Sequence, residues 1–380
     1  MGAGVAGLAV AALLPRDRFD VRLFERVTEF GHIGAGIQIS PNGATILHRL
    51  GVGHLMRSRG LVADSIEFRS WDTGRISCRT PLGAELGRRY GAPYYIIQRF
   101  QLHRTLADLI DYHDIAFDAE CLRVHDDRDH ASIEFSDGRM VDADLVIGAD
   151  GVHSVVRRSI LNDGPPADSG YVVYRGLVPL RALSNWAGRT SITFWLGPDR
   201  HVTCYPVGDT MHFSAIVPGG GLRGAEGRDL TVDFAGWHGP VLQLIGYSRP
   251  DSSWPLWDRP MSPSWGRART ILIGDAAHPM LPFMSQGANQ GLEDAAVLAA
   301  VLTGASLDTI PVALRRFEAC RIPRVSRIHQ MSRDRAVSFH LINRAEQCAR
   351  DEKLRATAGL EHHDWLYEYV PANEIRTVAS

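Results

Sequence analysis

The chain of 380 residues carries a formal net charge of -2 and is 45% hydrophobic. That length can bury a large core in about two domains, and the near-balanced charge leaves no electrostatic footprint for nucleic acid. Cys78, Cys121, Cys204, Cys320 and Cys348 are odd in number, far apart and never in a C-x-x-C. This points to reduced thiols in a cytoplasmic protein and against a disulfide frame or a zinc site; the apolar runs GLAVAALL and AAVLAAVL are too short to cross a membrane.

In chain order, the first pattern is Gly2-x-Gly4-x-x-Gly7 in MGAGVAGLAV. In dinucleotide sites the first glycine permits a tight turn, the second lets amides approach a pyrophosphate, and the third lets a helix pack close to the sheet. The anion sits on the positive end of that helix. Alone the pattern is weak, because a small-residue helix start has the same letters. Here a helical run and the alternating RFDVRLFER follow, placing Glu25, with Arg26 beside it, about 20 positions past the glycines, where an acid binds a ribose hydroxyl.

Residues 65–79 read as two strands about a D-T-G turn, 121–147 as further alternation, and 171–217 as strongly β. PGGGLRGAEGRD at 218–229 is a loop by composition. In YYIIQRFQLHRTL, Arg99 stands where a strand becomes a helix, placed for a phosphate or simply solvated. In DADLVIGADGVHSVVRR a strand runs into Asp150, which either accepts from a ligand hydroxyl or caps the next helix. In LIGDAAHPMLPFMSQGANQGLEDAA, Asp275 ends a strand, placed for a polyol chain rather than as a cap, and His278 reads as a satisfied loop histidine. A Pro-rich loop containing Pro282 follows. A helix then opens at Gly287, Ala288 and Asn289, with free amides and a positive dipole suited to an anionic ring. The long helical tract after 311 is expected to bend near Pro323.

These motifs, in this order, resemble the single-component (class A) FAD-dependent aromatic hydroxylases, the p-hydroxybenzoate hydroxylase family. GAGIQISPNG, RTPLG and GDAAHPMLPFMSQGANQGLEDA are most similar to its salicylate hydroxylase and 6-hydroxynicotinate 3-monooxygenase branch. The resemblance implies an α/β fold: a Rossmann-like FAD-binding domain with C-terminal helices from 1–64, 98–168 and 264–380, and an inserted, mostly antiparallel β-sheet substrate domain from 65–97 and 169–263. It implies bound FAD, reduced by NADH or NADPH. O2 then gives a flavin C4a-hydroperoxide that hydroxylates a small hydroxylated aromatic or pyridine carboxylate. It implies no metal, no membrane and no nucleic acid, and allows a homodimer.

In family terms Gly2, Gly4, Gly7, Glu25 and Arg26 hold the ADP half of FAD. Arg99, Asp150 and Asp275 hold the pyrophosphate and ribityl chain, and Pro282 with Gly287, Ala288 and Asn289 lines the ring system. His201 and Tyr205, four apart in DRHVTCYPV, share one face of a strand; they act as bases on the ring hydroxyl or are satisfied within the sheet. Gln38 lies on the strand expected to floor the pocket, where the hydroxynicotinate branch has a His. The family also places a strand ahead of its first glycine. The expectation is therefore that the chain starts late and that a chain beginning at Met1 holds FAD poorly, with two ladder edges exposed. Two alternatives stay open: a flavin oxidase or dehydrogenase on the same fold, and a non-catalytic flavin-binding protein.

Overall fold

The alternation through 171–217 becomes the middle of a seven-stranded sheet in the computed structural model, which describes residues 1–31, 35–127, 129–183, 186, 189–219, 228–247 and 253–371. Most of the expected loop at 218–229, residues 220–227, lies outside the described residues. The strands lie in the order Ser253–Asp258, Ala167–Pro179, Thr210–Pro218, His201–Val207, Ile192–Leu196, Ser65–Ser70 and Ile76–Pro81. All neighbours are antiparallel except Ile192–Leu196 beside Ser65–Ser70.

Side chains two apart on a strand share a face. Val202 and Cys204 therefore pack on one side with Trp195, Phe234 and Trp237. His201, Thr203 and Tyr205 point to the other. Cross-strand register aligns Arg175 with Ser214, Ser214 with Thr203 and Thr203 with Phe194. The flanking rows hold Ile216 opposite His201, and His212 opposite Tyr205.

The nucleotide-type segments form a second assembly. Leu23–Phe24 pairs parallel with Ile115–Ala116, and Val146–Gly148 pairs parallel with Thr270–Leu272. The backbone of Met1 and Gly2 bridges these pairs: the Met1 amine donates to Ile147 O at 2.7 Å, Ala149 N donates to Met1 O at 2.7 Å, and Gly2 N donates to Phe24 O at 2.8 Å. A cavity of about 610 Å³ lies beside this bridge, between Leu23–Phe24 and Val146–Ile147.

The helices Val5–Leu13 and Gly287–Thr303 pack against each other where small residues meet. A Cβ added at Gly291 would lie 3.1 Å from the Ala6 Cβ. The long C-terminal helical tract is two helices. The first runs unbroken from Ile310 to Phe339 with Pro323 inside and stops at His340, and the second spans Arg344–Ala356. Among the described residues no helix is long and apolar enough to cross a membrane.

Candidate active site

Both assemblies face one cleft of about 400 Å³. Gly4, Arg99, Ala149, Gly151, Asp275 and Gly287 line its nucleotide side, and Gln38, Arg175, His201, Thr203, Tyr205 and His212 its sheet side.

The glycine turn is built by close approach. Gly2 has φ +90, and a Cβ there would lie 2.4 Å from Ala149 O; a Cβ at Gly7 would lie 2.0 Å from Gly2 O. Gly4 is different: a Cβ there meets nothing within 4 Å, because this position opens to the cleft. Neither helix that begins at the cleft, Val5–Leu13 or Gly287–Thr303, has a side-chain cap. Each N-terminus presents amides and roughly half a positive charge. A turn that excludes side chains, an open glycine and two uncapped helix starts around one cleft fit a diphosphate and an anionic ring, as FAD has. Substitution separates the two roles of the turn. Gly7→Ala forces the backbone apart, at about 1–3 kcal/mol of overpacking, and should lower the melting temperature of the apoprotein. Gly4→Ala should leave that melting temperature unchanged and weaken FAD retention, read as flavin absorbance per chain after desalting.

Several of the expected side chains make bonds within the protein. Asp150 is a helix cap: its carboxylate accepts from Ser154 Oγ at 2.5 Å, Val155 N at 2.7 Å and Val156 N at 3.1 Å. The backbone on either side, Ala149 and Gly151, lines the cleft in its place. The Asn289 side chain braces the helix start, whose backbone amides carry the expectation, by accepting from Ser40 N at 3.0 Å and donating to Gln38 O at 3.2 Å and Ser285 O at 2.9 Å. Glu25 accepts from Ala3 N at 2.8 Å, which ties the strand end to the glycine turn, and Arg26 is exposed. Arg99 and Asp275 both open into the cleft. Surrounding protein nonetheless desolvates Asp275 and raises its carboxyl above the ordinary range, with His278 and Arg99 opposing. Pro282 is exposed on the cleft wall, in the turn Pro282–Met284.

On the sheet side, Tyr205 donates to Gly36 O at 2.8 Å, and Tyr94 donates to Gln38 Oε1 at 2.8 Å. Burial pushes the Tyr205 hydroxyl upward, so it stays protonated. His201 is buried among Phe194, Phe283 and Phe339. Burial, then His340, holds its pKa well below 6.5, so it is neutral.

Sequence reasoning missed Arg175 and His212. Arg175 makes no ion pair or hydrogen bond among the described residues; its guanidinium lies 5.7 Å from the Trp254 ring centre. Burial lowers its pKa, and the Arg99 charge adds to that. His212 donates to or accepts from Ser214 Oγ at 3.0 Å, and its Nδ1 is buried without a hydrogen-bond partner among the described residues. Burial and Arg175 push its pKa down to about 3. Also missed was a buried ionic cluster behind the helix start at Gly287. Arg321 pairs with Glu293 at 2.6 Å and Asp294 at 2.8 Å, and Arg324 pairs with Glu293 at 2.7 Å. Asp294 also accepts from His278 at 2.5 Å and from Gly274 N at 2.9 Å. His278, expected to be a satisfied histidine, is satisfied at Nε2 only; its Nδ1 is buried with no hydrogen-bond partner among the described residues.

Residues 1–221 and 242–332 match the FAD binding domain family. The chain belongs to that family, and it is an FAD-dependent aromatic monooxygenase. It is 46% identical to 3-amino-4-hydroxybenzoate 2-monooxygenase of Streptomyces cremeus, over 97% of this chain and 93% of that protein. It is 35% identical to 6-hydroxynicotinate 3-monooxygenase of Bordetella bronchiseptica, over 88% of this chain and 90% of that protein. Among solved structures it is similar to HpxO of Klebsiella pneumoniae complexed with FAD and uric acid, with a TM-score of 0.83 at 29% identity, covering 100% of this chain and 95% of that one. It is also similar to a salicylate hydroxylase substrate complex, with a TM-score of 0.83 at 25% identity, covering 99% and 96%.

Proposed function

We propose that the enzyme hydroxylates a small benzoate that carries a ring hydroxyl, with NAD(P)H and O2 as co-substrates. The observation that carries this reading is Arg175: a guanidinium in the cleft with no acidic partner, on the same sheet face as a neutral histidine. A cation without a counter-ion in a partly desolvated site favours an anionic ligand. The substrate carboxylate supplies that counter-charge, and Ser214 and the unpartnered His212 Nδ1 stand beside it as further polar groups. The ring then extends toward His201, which accepts the proton of the ring hydroxyl. Ionisation leaves the electron pair on oxygen and raises the electron density of the ring carbons. FAD, when bound, supplies the electron and oxygen transfer. The aromatic walls at Phe194 and Phe283 exclude water from the reacting face.

The relatives at the highest identity, named as acting on 3-amino-4-hydroxybenzoate, favour a benzene over a pyridine ring, as does Gln38 in place of the His of the hydroxynicotinate branch. The test uses the FAD-loaded enzyme with 3-amino-4-hydroxybenzoate and with the same ring lacking the carboxylate. The acid should accelerate NAD(P)H oxidation and yield hydroxylated product; the decarboxylated ring should do neither. Loss of a charge-assisted hydrogen bond costs about 1.5–3 kcal/mol, so Arg175→Met should raise KM for the acid by about 10- to 150-fold. An Arg175→Met enzyme with unchanged KM would refute the anchoring role.

A further inference from the structure

The strand that carries His201 and the helix Ile310–Phe339 meet at an imidazole pair. His201 Nδ1 lies 2.9 Å from His340 Nε2, and His340 Nδ1 lies 2.6 Å from Ala336 O. A carbonyl oxygen only accepts, so the His340 Nδ1 carries a proton. His340 is neutral, because burial pushes its pKa down to about 4 against weaker opposition from Ala336 and Asp199. Its Nε2 therefore holds a lone pair, and the hydrogen bond to His201 needs a donor. That donor is the proton on His201 Nδ1. The second ring nitrogen of His201 has no partner among the described residues, and the ring lines the cleft.

We propose that His340 is a positioning residue that fixes His201 in the Nδ1–H tautomer, so that the Nε2 lone pair faces the aromatic substrate. This deepens the base role assigned to His201 above and rests on it. When the ring hydroxyl gives its proton, the O–H bond breaks, the N–H bond forms at His201 Nε2 and the electron pair stays on oxygen. His201 becomes an imidazolium that keeps its Nδ1–H bond to His340. The opposite tautomer of His201 would point an N–H at the substrate hydroxyl and could accept nothing. Order in the pair is reinforced by Tyr171, stacked on His340 at 4.5 Å, and by Phe283 at 5.5 Å. Tyr171 and Asp199 are the other titratable groups that act on His340.

The test begins with FAD-loaded, unsubstituted enzyme labelled with ¹⁵N-histidine, the His201 signals being those lost in His201→Gln. The expected result is a protonated Nδ1 and an unprotonated Nε2 on His201 across neutral pH. A His201 protonated at Nε2 would overturn the proposal and leave the benzoate reading intact. Failure of any hydroxylated benzoate to bind would remove the benzoate reading and leave the tautomer result standing. His340→Leu removes the acceptor. Its kcat should fall about 10- to 100-fold, as when a residue orienting a catalytic group is lost, with KM for the acid little changed. His340→Gln, whose carbonyl can accept from His201 Nδ1–H, should restore most of kcat and the Nδ1–H signature. Equal kcat in the Leu variant and the unsubstituted enzyme, or Leu and Gln variants equally slow, would overturn it.

Discussion

Replacing His201 with Gln should lower kcat for the hydroxylated acid by about 10²- to 10⁴-fold, the range for loss of a positioned general base. NAD(P)H oxidation should persist with a larger share of the electrons released as H2O2, because an un-ionised ring accepts oxygen poorly. Parallel measurement of NAD(P)H consumed, H2O2 formed and product formed checks this. The pH dependence has a definite sign. Burial holds the His201 pKa well below 6.5, so the base is already unprotonated at neutral pH, and activity should show no histidine step between pH 6.5 and 8. The same shift makes folding favour neutral His201. Its effect on stability is therefore absent above pH 6.5 and becomes destabilising as pH falls through that value.

Arg321→Met should destabilise the folded enzyme by about 3–5 kcal/mol, the cost of leaving a buried charge uncompensated. Arg321, Glu293 and Asp294 are fully buried, and removal of the guanidinium leaves Glu293 with Arg324 and Asp294 with His278 as their remaining charged or ring partners. Urea unfolding of the FAD-loaded enzyme reads this directly, and the same variant should lose flavin more readily, because Glu293 and Asp294 belong to the helix whose start lines the cleft. Burial alone would raise the Asp294 carboxyl, but His278 and Arg321 overcome it and hold the pKa at about 2. Its contribution to stability is therefore complete above about pH 4 and fades as pH falls toward 2. A transition that ignored both Arg321→Met and acid would show that the cluster contributes nothing.

Features governed by adjacent residues are legible in the chain's own letters. The glycine turn, the strand Thr270–Leu272 that leads to the short turn holding Asp275, the helix opening at Gly287 and the shared face of His201 and Tyr205 all follow from local chain chemistry. Asp150 is engaged as a cap for a physical reason. A short polar side chain at a strand-to-helix corner can satisfy the helix amides or the ligand, and the amides are nearer. Arg175 has a faint signal, a charge inside the apolar alternation YVVYRGLVPL. His340 has none, since its partner is 139 residues away in sequence. The Arg321 cluster is hidden for the same reason: Glu293 and Asp294 sit in an Ala/Leu-rich helix, and nothing local says that a cation 27 or 28 residues on will meet them.

The cross-strand rows that aim Arg175, Ser214, Thr203 and His201 into the cleft belong to one hydrogen-bonded ladder, and the glycine turn and its helices belong to another. A substitution in a row changes the chemistry presented to the cleft without touching the glycine turn and helix starts on its nucleotide side. Descendants of such a scaffold can explore new aromatic diets one inward-facing position at a time, while the machinery that handles electrons is inherited unchanged.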